Sequence, residues 1–411
     1  MLSKQPKVAL VHDDFCQLGG AERLFAEIAK IYPEAPIYTS LVNWSKIPTS
    51  INPDRIHTSF IQQIPFATKF YKLLLPLYPF AFESFDLSEF DLVISSTTRF
   101  AKAMITKPNT VHISYVNSIP RFLYNQDQAG EYLPHLLKFM LKPYFKWLKR
   151  WDKAASSRPD LYIVNSQNVA RQIKKVYGRE SEVIYPAVDT NWFKVKSSQL
   201  TAKEKTVNRQ PLTNYYLVVS RLVKWKKIDI AIQATQELGV SLKIVGIGPD
   251  EQRLRELFSP KSHPEFNSGS EKKILKRVPF KKFQGKQNDK KGIVEFVGSV
   301  DRKKLRDLYQ NAKALIVTQE EDFGIAIIEA QSCGIPVIAY KAGGALEIIK
   351  EGKTGIFFKN QSPEAVKDAI SIQSKLKWDI SACRENALRF SKAVFVNSFK
   401  KSINDYAAKN H

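Results

Sequence analysis

A chain of 411 residues, 44% of them hydrophobic and 25% charged, carries apolar material for two buried cores, which excludes wholesale disorder. The three cysteines, Cys16, Cys333 and Cys383, lie far apart without metal-ligand spacing, which argues against a disulfide framework and for a reducing compartment. The abnormal bulk feature is a formal net charge of +23, which attracts phosphorylated, lipid or polynucleotide partners alike.

Met1 to Lys7 runs directly into a short strand-like segment, Val8–Val11, without the apolar stretch of a secretory signal. No apolar run is long enough to span a bilayer, so the expected location is cytoplasmic, with peripheral attachment to the inner face of the plasma membrane as an option. Strand-like runs follow at Asp91–Ser95, Val111–Tyr115 and Leu161–Asn165, then at Tyr216–Ser220, Leu242–Val245, Ile293–Val297, Ala314–Val317 and Pro336–Ala339. Helical periodicity lies between them, for example over Ala21–Ile31, Ile228–Glu237, Lys303–Asn311 and Gly324–Ser332. This alternation predicts an α/β protein of two doubly wound, Rossmann-like domains facing a cleft. The expected boundaries are residues 1–192 for the first domain, 193–210 for a linker and 211–385 for the second domain. A terminal helix over 386–411 is expected to pack back toward the first domain.

Three segments interrupt the plan. Residues 64–85 are apolar, aromatic and broken by Pro65, Pro76 and Pro79. Residues 132–151 mix lysines at helical spacing with Leu, Phe, Tyr and Trp, the composition of an interfacial helix on an anionic membrane or of a helix packed on its own domain. Residues 259–292 form a basic insertion poor in apolar residues, expected to be a loop.

The strongest chemical signal is Glu321-Asp-Phe-Gly-Ile-Ala-Ile-Ile-Glu329 after a buried strand. Two carboxylates eight positions apart bracket a Phe-Gly turn and a helix N-terminus, where free N–H groups suit a phosphate or sugar oxygen. Acids at a helix start are as often simple partners of its dipole. The second signal, Ser220-Arg-Leu-Val-Lys-Trp-Lys226, puts cations at a strand's carboxyl end, where they suit a departing diphosphate or merely form a solvated turn. A third, Gln17-Leu-Gly-Gly-Ala-Glu22, is a strand-to-helix turn without the GxGxxG spacing of a dinucleotide fold. Asp13-Asp14 reads as a strand-end structural pair rather than a metal site, and His112 as a structural histidine.

In order along the chain, Gly19-Gly-Ala-Glu22, Asp91–Ser96, His112–Tyr115, Pro120-Arg121, Asn165-Ser166, Tyr185-Pro186, Ser220-Arg221-Leu222 with Lys226, Gly246–Pro249, Glu321-x7-Glu329 and Gly343-Gly344 resemble the family 4 glycosyltransferases, retaining enzymes of the GT-B fold. The resemblance implies that Arg221 and Lys226 grip the donor diphosphate, Glu329 binds the ribose hydroxyls and Glu321 faces the donor sugar. It implies backbone contacts to the donor at Phe323, Gly324 and Ile325, with Gly19 and Gly20 approaching from the first domain. Many members carry a histidine beside the donor sugar; Asn117 stands there in this chain, able to bond a hydroxyl but not to titrate. No cofactor is implied, the nucleotide-sugar being a co-substrate, and metal independence is expected. The expected partners are a nucleotide-sugar donor, a glycan or lipid-linked acceptor and an anionic membrane surface, with no nucleic acid. The expected activity is retaining transfer of mannose from GDP-mannose in cell-surface polysaccharide or glycolipid synthesis. A UDP-sugar is the alternative donor. The different-class alternative is a non-enzymatic polyanion binder, which no recognisable nucleic-acid motif supports.

Overall fold

The computed structural model describes residues 6–71, 73–124, 142–195, 215–257 and 293–409. Apolar runs with no polar alternation demand cover on both faces, and they form two wholly parallel sheets. The first comprises β1 (Val8–His12), β2 (Ile37–Thr39), β3 (Ile56–Thr58), β4 (Leu92–Thr97), β5 (Val111–Val116), β6 (Leu161–Val164) and β7 (Glu182–Val183), in the order β3-β2-β1-β4-β5-β6-β7. The second comprises β8 (Tyr215–Val219), β9 (Ser241–Val245), β10 (Val294–Gly298), β11 (Leu315–Val317), β12 (Val337–Tyr340) and β13 (Gly355–Phe358), in the order β10-β9-β8-β11-β12-β13. Strand order reverses beside β1 and β4 in one sheet and beside β8 and β11 in the other. Open parallel sheets bind ligands at the carboxyl ends of such switch points.

Two helices matter most for the site. α1 (Gly20–Ile31) follows β1 and buries Leu24, Phe25 and Ile28 at helical spacing, while the Glu22 carboxylate accepts from the Gly19 N–H at 2.7 Å. A second helix, Ile325–Ser332, follows β11 and buries almost every residue. It starts one residue later than the sequence pattern suggested, because Gly324 takes the left-handed φ of +114° that stops the helical turn there.

The chain passes between the domains twice, along adjacent paths. Ile184 belongs to the first core, whereas Val188 and Phe193 already belong to the second, so the outward crossing precedes the boundary drawn at 192. The return follows Phe390 of the second core, and the terminal helix Lys392–Lys409 begins six residues beyond 386. Val188 N–H donates to the Phe390 carbonyl at 3.0 Å where the two crossings meet. Phe395 and Phe399 of the terminal helix then bury against Tyr115 of β5, with ring centroids 6.0 and 6.3 Å away. The basic insertion 259–292, linker residues 196–210 and residues 132–141 of the aromatic-basic segment lie outside the described residues.

Across the cleft the domains also touch through hydrogen bonds. The Glu347 carboxylate of the second domain accepts from the Gln167 and Asn168 N–H groups at 2.8 and 2.9 Å, satisfying free donors at the start of the Gln167–Tyr177 helix. Ser166 Oγ donates to the Asp322 carbonyl at 2.6 Å.

Candidate active site

A cleft of about 860 Å³ opens between the carboxyl ends of the two sheets. After β8 the chain bends through Ser220–Lys227, leaving Arg221 exposed at the cleft wall and Lys226 buried on a single tight turn. Lys226 Nζ meets Glu321 Oε1 at 2.5 Å, and Gln319 Nε2 donates to the same oxygen. Glu321 follows β11, and its carbonyl accepts from Gly344 N–H at 2.8 Å, which pins the loop to the turn after β12. Burial would raise the Glu321 pKa, but the Lys226 charge, its bond and the Gln319 bond outweigh burial and hold the carboxylate ionised. Burial also pulls the Lys226 ammonium below the usual lysine range; Glu321 opposes this, and nearby Arg121 and Arg221 add to it.

Glu329 sits in the second turn of the Ile325–Ser332 helix and is only 6% exposed. Its Oε2 accepts from the Tyr309 hydroxyl at 3.0 Å. Burial pushes this carboxyl up to about 7, against the pull of the Arg23 charge and the Tyr309 bond. The two acids eight positions apart therefore sit in opposite electrostatic states: Glu321 paired and ionised, Glu329 poised to lose its proton near neutrality.

Between them, Phe323 is buried and stacks on Tyr185, centroids 5.6 Å apart, which fixes the loop on the crossing segment. A Cβ on Gly324 would lie 2.8 Å from Ile327 Cδ1, so only glycine fits its left-handed turn. Ile325 and Ala326 then line the cleft with the first turn of the helix, whose N–H groups lack intrahelical partners. Gly19 and Gly20 open α1 from the opposite wall; a Cβ on Gly20 would come within 2.8 Å of Ile325 Cδ1. The N-termini of two helices thus converge on one space, a favourable setting for an anion. Asn117 lines the same cleft and donates to Ser96 Oγ at 3.2 Å. All ten residues singled out from the sequence line this one cleft.

Several cleft residues carry weight that the sequence did not assign. Trp225 meets two cations, with Lys226 Nζ 4.3 Å and the Arg121 guanidinium 5.2 Å from its ring centroid. Arg121 in turn pairs with Asp322 across the cleft. Alternation of lysine and tryptophan in Lys224-Trp225-Lys226 was the available signal; the pairing of Arg121 with Asp322, 201 positions later in the sequence, had none.

Asp13 and His112 lie apart from this chemistry. The Asp13 carboxylate accepts from the Thr97 hydroxyl and from the N–H groups of Arg99, Phe100 and Ala101 at 2.8 to 3.0 Å, splinting the β4 loop. Burial is outweighed by Arg99, His12 and these donors, so its pKa is lowered. His112 is buried with Nε2 3.0 Å from Ser95 Oγ, and burial, with Arg158 adding, pushes its pKa down to about 3. Among the described residues no cluster of His, Cys, Asp and Glu has the makings of a metal site.

Residues 18–192 match the family described as Glycosyltransferase Family 4, and residues 280–389 match Glycosyl transferases group 1. The chain belongs to glycosyltransferase family 4. Among relatives of this family-4 chain, D-inositol 3-phosphate glycosyltransferase 2 of Catenulispora acidiphila is 26% identical over 61% of this chain and 58% of its own length. The chain spans 43% to 58% of the length of three D-inositol 3-phosphate glycosyltransferases that it matches. Alpha-1,3/1,6-mannosyltransferase ALG2 of Saccharomyces cerevisiae is 25% identical over 91% of this chain and 77% of its own length. Anabaena HepE, solved with UDP-glucose, superposes with a TM-score of 0.62 at 20% identity, covering 97% of this chain and 99% of that one. Sucrose-phosphate synthase of Thermosynechococcus elongatus gives 0.66 at 17% identity, covering 98% and 100%. The fold of this family-4 member is therefore GT-B, two Rossmann-like domains with the cleft between them.

Proposed function

We propose that this chain transfers a sugar from a nucleotide-sugar to a hydroxyl acceptor with retention of anomeric configuration. The observation that carries the reading is the convergence of Arg221, Lys226, Glu321, Glu329 and two helix N-termini on one cleft. Arg221 and Lys226 meet the diphosphate, and their charge stabilises it as the bond from the sugar C1 to the β-phosphate oxygen breaks. The acceptor hydroxyl forms the new C1–O bond on the same face, and its proton passes to the departing phosphate oxygen. Electrostatic help of this kind contributes several kcal/mol, roughly 3 to 4 for one well-placed donor. Glu329 accepts from the ribose hydroxyls, Glu321 and Asn117 hold the sugar hydroxyls, and backbone at Phe323, Gly324 and Ile325 contacts sugar and phosphate. Gly19 and Gly20 let the first domain close on the diphosphate. Because fixed cations meet the phosphates, transfer is expected to persist when metal is chelated.

GDP-mannose is the favoured donor, supported by the alignment with a yeast mannosyltransferase over most of the chain. A UDP-sugar is the second reading, favoured by the fold shared with HepE in its UDP-glucose complex. The acceptor is a glycan or a lipid-linked sugar in cell-surface polysaccharide or glycolipid synthesis, used at the cytoplasmic face of a membrane. Three free cysteines fit a reducing compartment, and no helix among the described residues is long and apolar enough to cross a bilayer. Product NMR tests the reaction: the anomeric coupling of the transferred sugar should match that of the donor. An inverted product would refute retention, and absence of turnover with every nucleotide-sugar would refute the transfer itself.

A further inference from the structure

The helix Lys142–Ala155 packs Tyr144, Phe145 and Leu148 on the first domain and turns a basic face outward. Lys142, Lys146, Lys149, Arg150 and Lys153 are all exposed, at spacings of four, seven, eight and eleven, which is one side of a helix. The helix's one acid, Asp152, is buried beneath it in an ion pair with Lys102. At the edge of the basic face Trp147 is 41% exposed and stacks on Phe80, 50% exposed, at 6.0 Å. The Tyr144 hydroxyl donates to the Pro76 carbonyl, tying this helix to the proline-broken stretch Phe60–Phe80.

Residues 60–80 contain no acidic residue, and Glu83, farther along the same proline-broken segment, is half-buried and paired with Arg158. The stretch exposes Phe66 at 75%, Phe70 at 47% and Leu73 at 44%. Phe66 does so with a left-handed φ of +58°, which a bulky side chain adopts only when its surroundings enforce it. Cations with no exposed acid among them, beside protruding phenylalanine, leucine and tryptophan, fit a surface that is anionic and apolar at once. A bilayer of anionic lipid is such a surface: headgroups take the cations and the acyl boundary takes the rings.

We propose that this face, built from Phe66, Phe70, Leu73, Phe80 and Trp147 with the outward cations of Lys142–Ala155, seats the protein on an anionic bilayer. The face borders the cleft. Tyr71, next to Phe70, lines the cleft, as does Phe122, whose ring meets Phe145 of the basic helix at 6.4 Å. On the glycosyl-transfer reading above, on which this clause alone rests, a lipid-linked acceptor would reach the site from the bilayer surface.

The test is flotation of the full chain with vesicles of phosphatidylcholine, with and without phosphatidylglycerol, at low and high salt. Flotation with phosphatidylglycerol vesicles at low salt is expected, falling at least about tenfold in a Phe66→Ser/Phe70→Ser variant and in a Lys146→Glu/Arg150→Glu variant. Both variants should keep the parent's melting temperature and its nucleotide-induced thermal shift, so failure of membrane seating and failure of the transferase reading are told apart. The proposal is overturned if the parent does not float, if both variants float as well as the parent, or if the face binds short RNA duplexes while ignoring vesicles.

Discussion

Replacing Glu329 with glutamine should stabilise the ligand-free protein and disable it. The carboxyl titrates at about 7 in the folded chain against 4.5 for an ordinary glutamate, burial being the main cause. A group whose folded pKa is raised binds its proton more tightly when folded, so stability is greatest in acid and falls as pH rises from 4.5 through 7. The loss integrates to about 3 kcal/mol by pH 8, and only about 1 kcal/mol of it is felt at pH 5. Glutamine keeps an acceptor for the Tyr309 hydroxyl but cannot ionise. Glu329→Gln should therefore match the parent within about 1 kcal/mol at pH 5 and exceed it by about 3 kcal/mol at pH 8, several degrees of melting temperature. Thermal unfolding of the two proteins across pH 5 to 8 measures the difference, in which the other titrating groups cancel. The bound ribose should favour the ionised carboxylate, so nucleotide affinity in the parent should rise with pH through neutrality and be weak throughout in the variant. A stability difference that does not change with pH would refute the reasoning, since no buried proton would then be held at this site.

Three further outcomes follow from the geometry. Lys226→Ala or Arg221→Ala should each lower turnover by about two orders of magnitude or more in an assay of nucleotide release, because the proposed reaction places both cations against the departing diphosphate. Trp225→Ala should lower kcat/KM about tenfold without unfolding the chain, as removal of the ring frees Arg121 and Lys226 from their shared platform, worth about 1 to 2 kcal/mol. Glu347→Gln should weaken the clasp on the Gln167–Tyr177 helix by about 1 to 2 kcal/mol and enlarge the ligand-free particle in small-angle scattering, and an unchanged radius would show that the clasp does not hold the domains together.

Much of the fold was legible because strand-length apolar runs alternate with helical periodicity, and nine strands fall within two residues of where that pattern puts them. The sequence reading missed β2, β3, β7 and β13; the first three mix apolar with polar residues, unlike the equally short but wholly apolar β11. The helix after β11 was placed one residue early because a glycine's left-handed torsion leaves no trace in hydropathy. The cleft residues of the second domain were legible because they cluster in two short segments after β8 and β11. Contacts made across the cleft were not: Arg121 with Asp322, Trp225 beneath Arg121, and Glu347 on Gln167 join positions far apart in sequence, and their pairing is set by how the domains meet. The electrostatic contrast of Glu321 and Glu329 was invisible for a similar reason. Both are glutamates taken out of water by the fold, and the Lys226 and Gln319 partners of Glu321 separate them.

The measurement that bears most directly on the transferase reading is thermal stability of the ligand-free protein against GDP, UDP, ADP and their sugar conjugates, without added metal. A rise in melting temperature selective for one base, abolished by Glu329→Ala and reduced by Lys226→Ala, is the predicted result. The absence of any shift with any nucleotide at millimolar concentration would contradict the claim that this cleft holds a nucleotide-sugar.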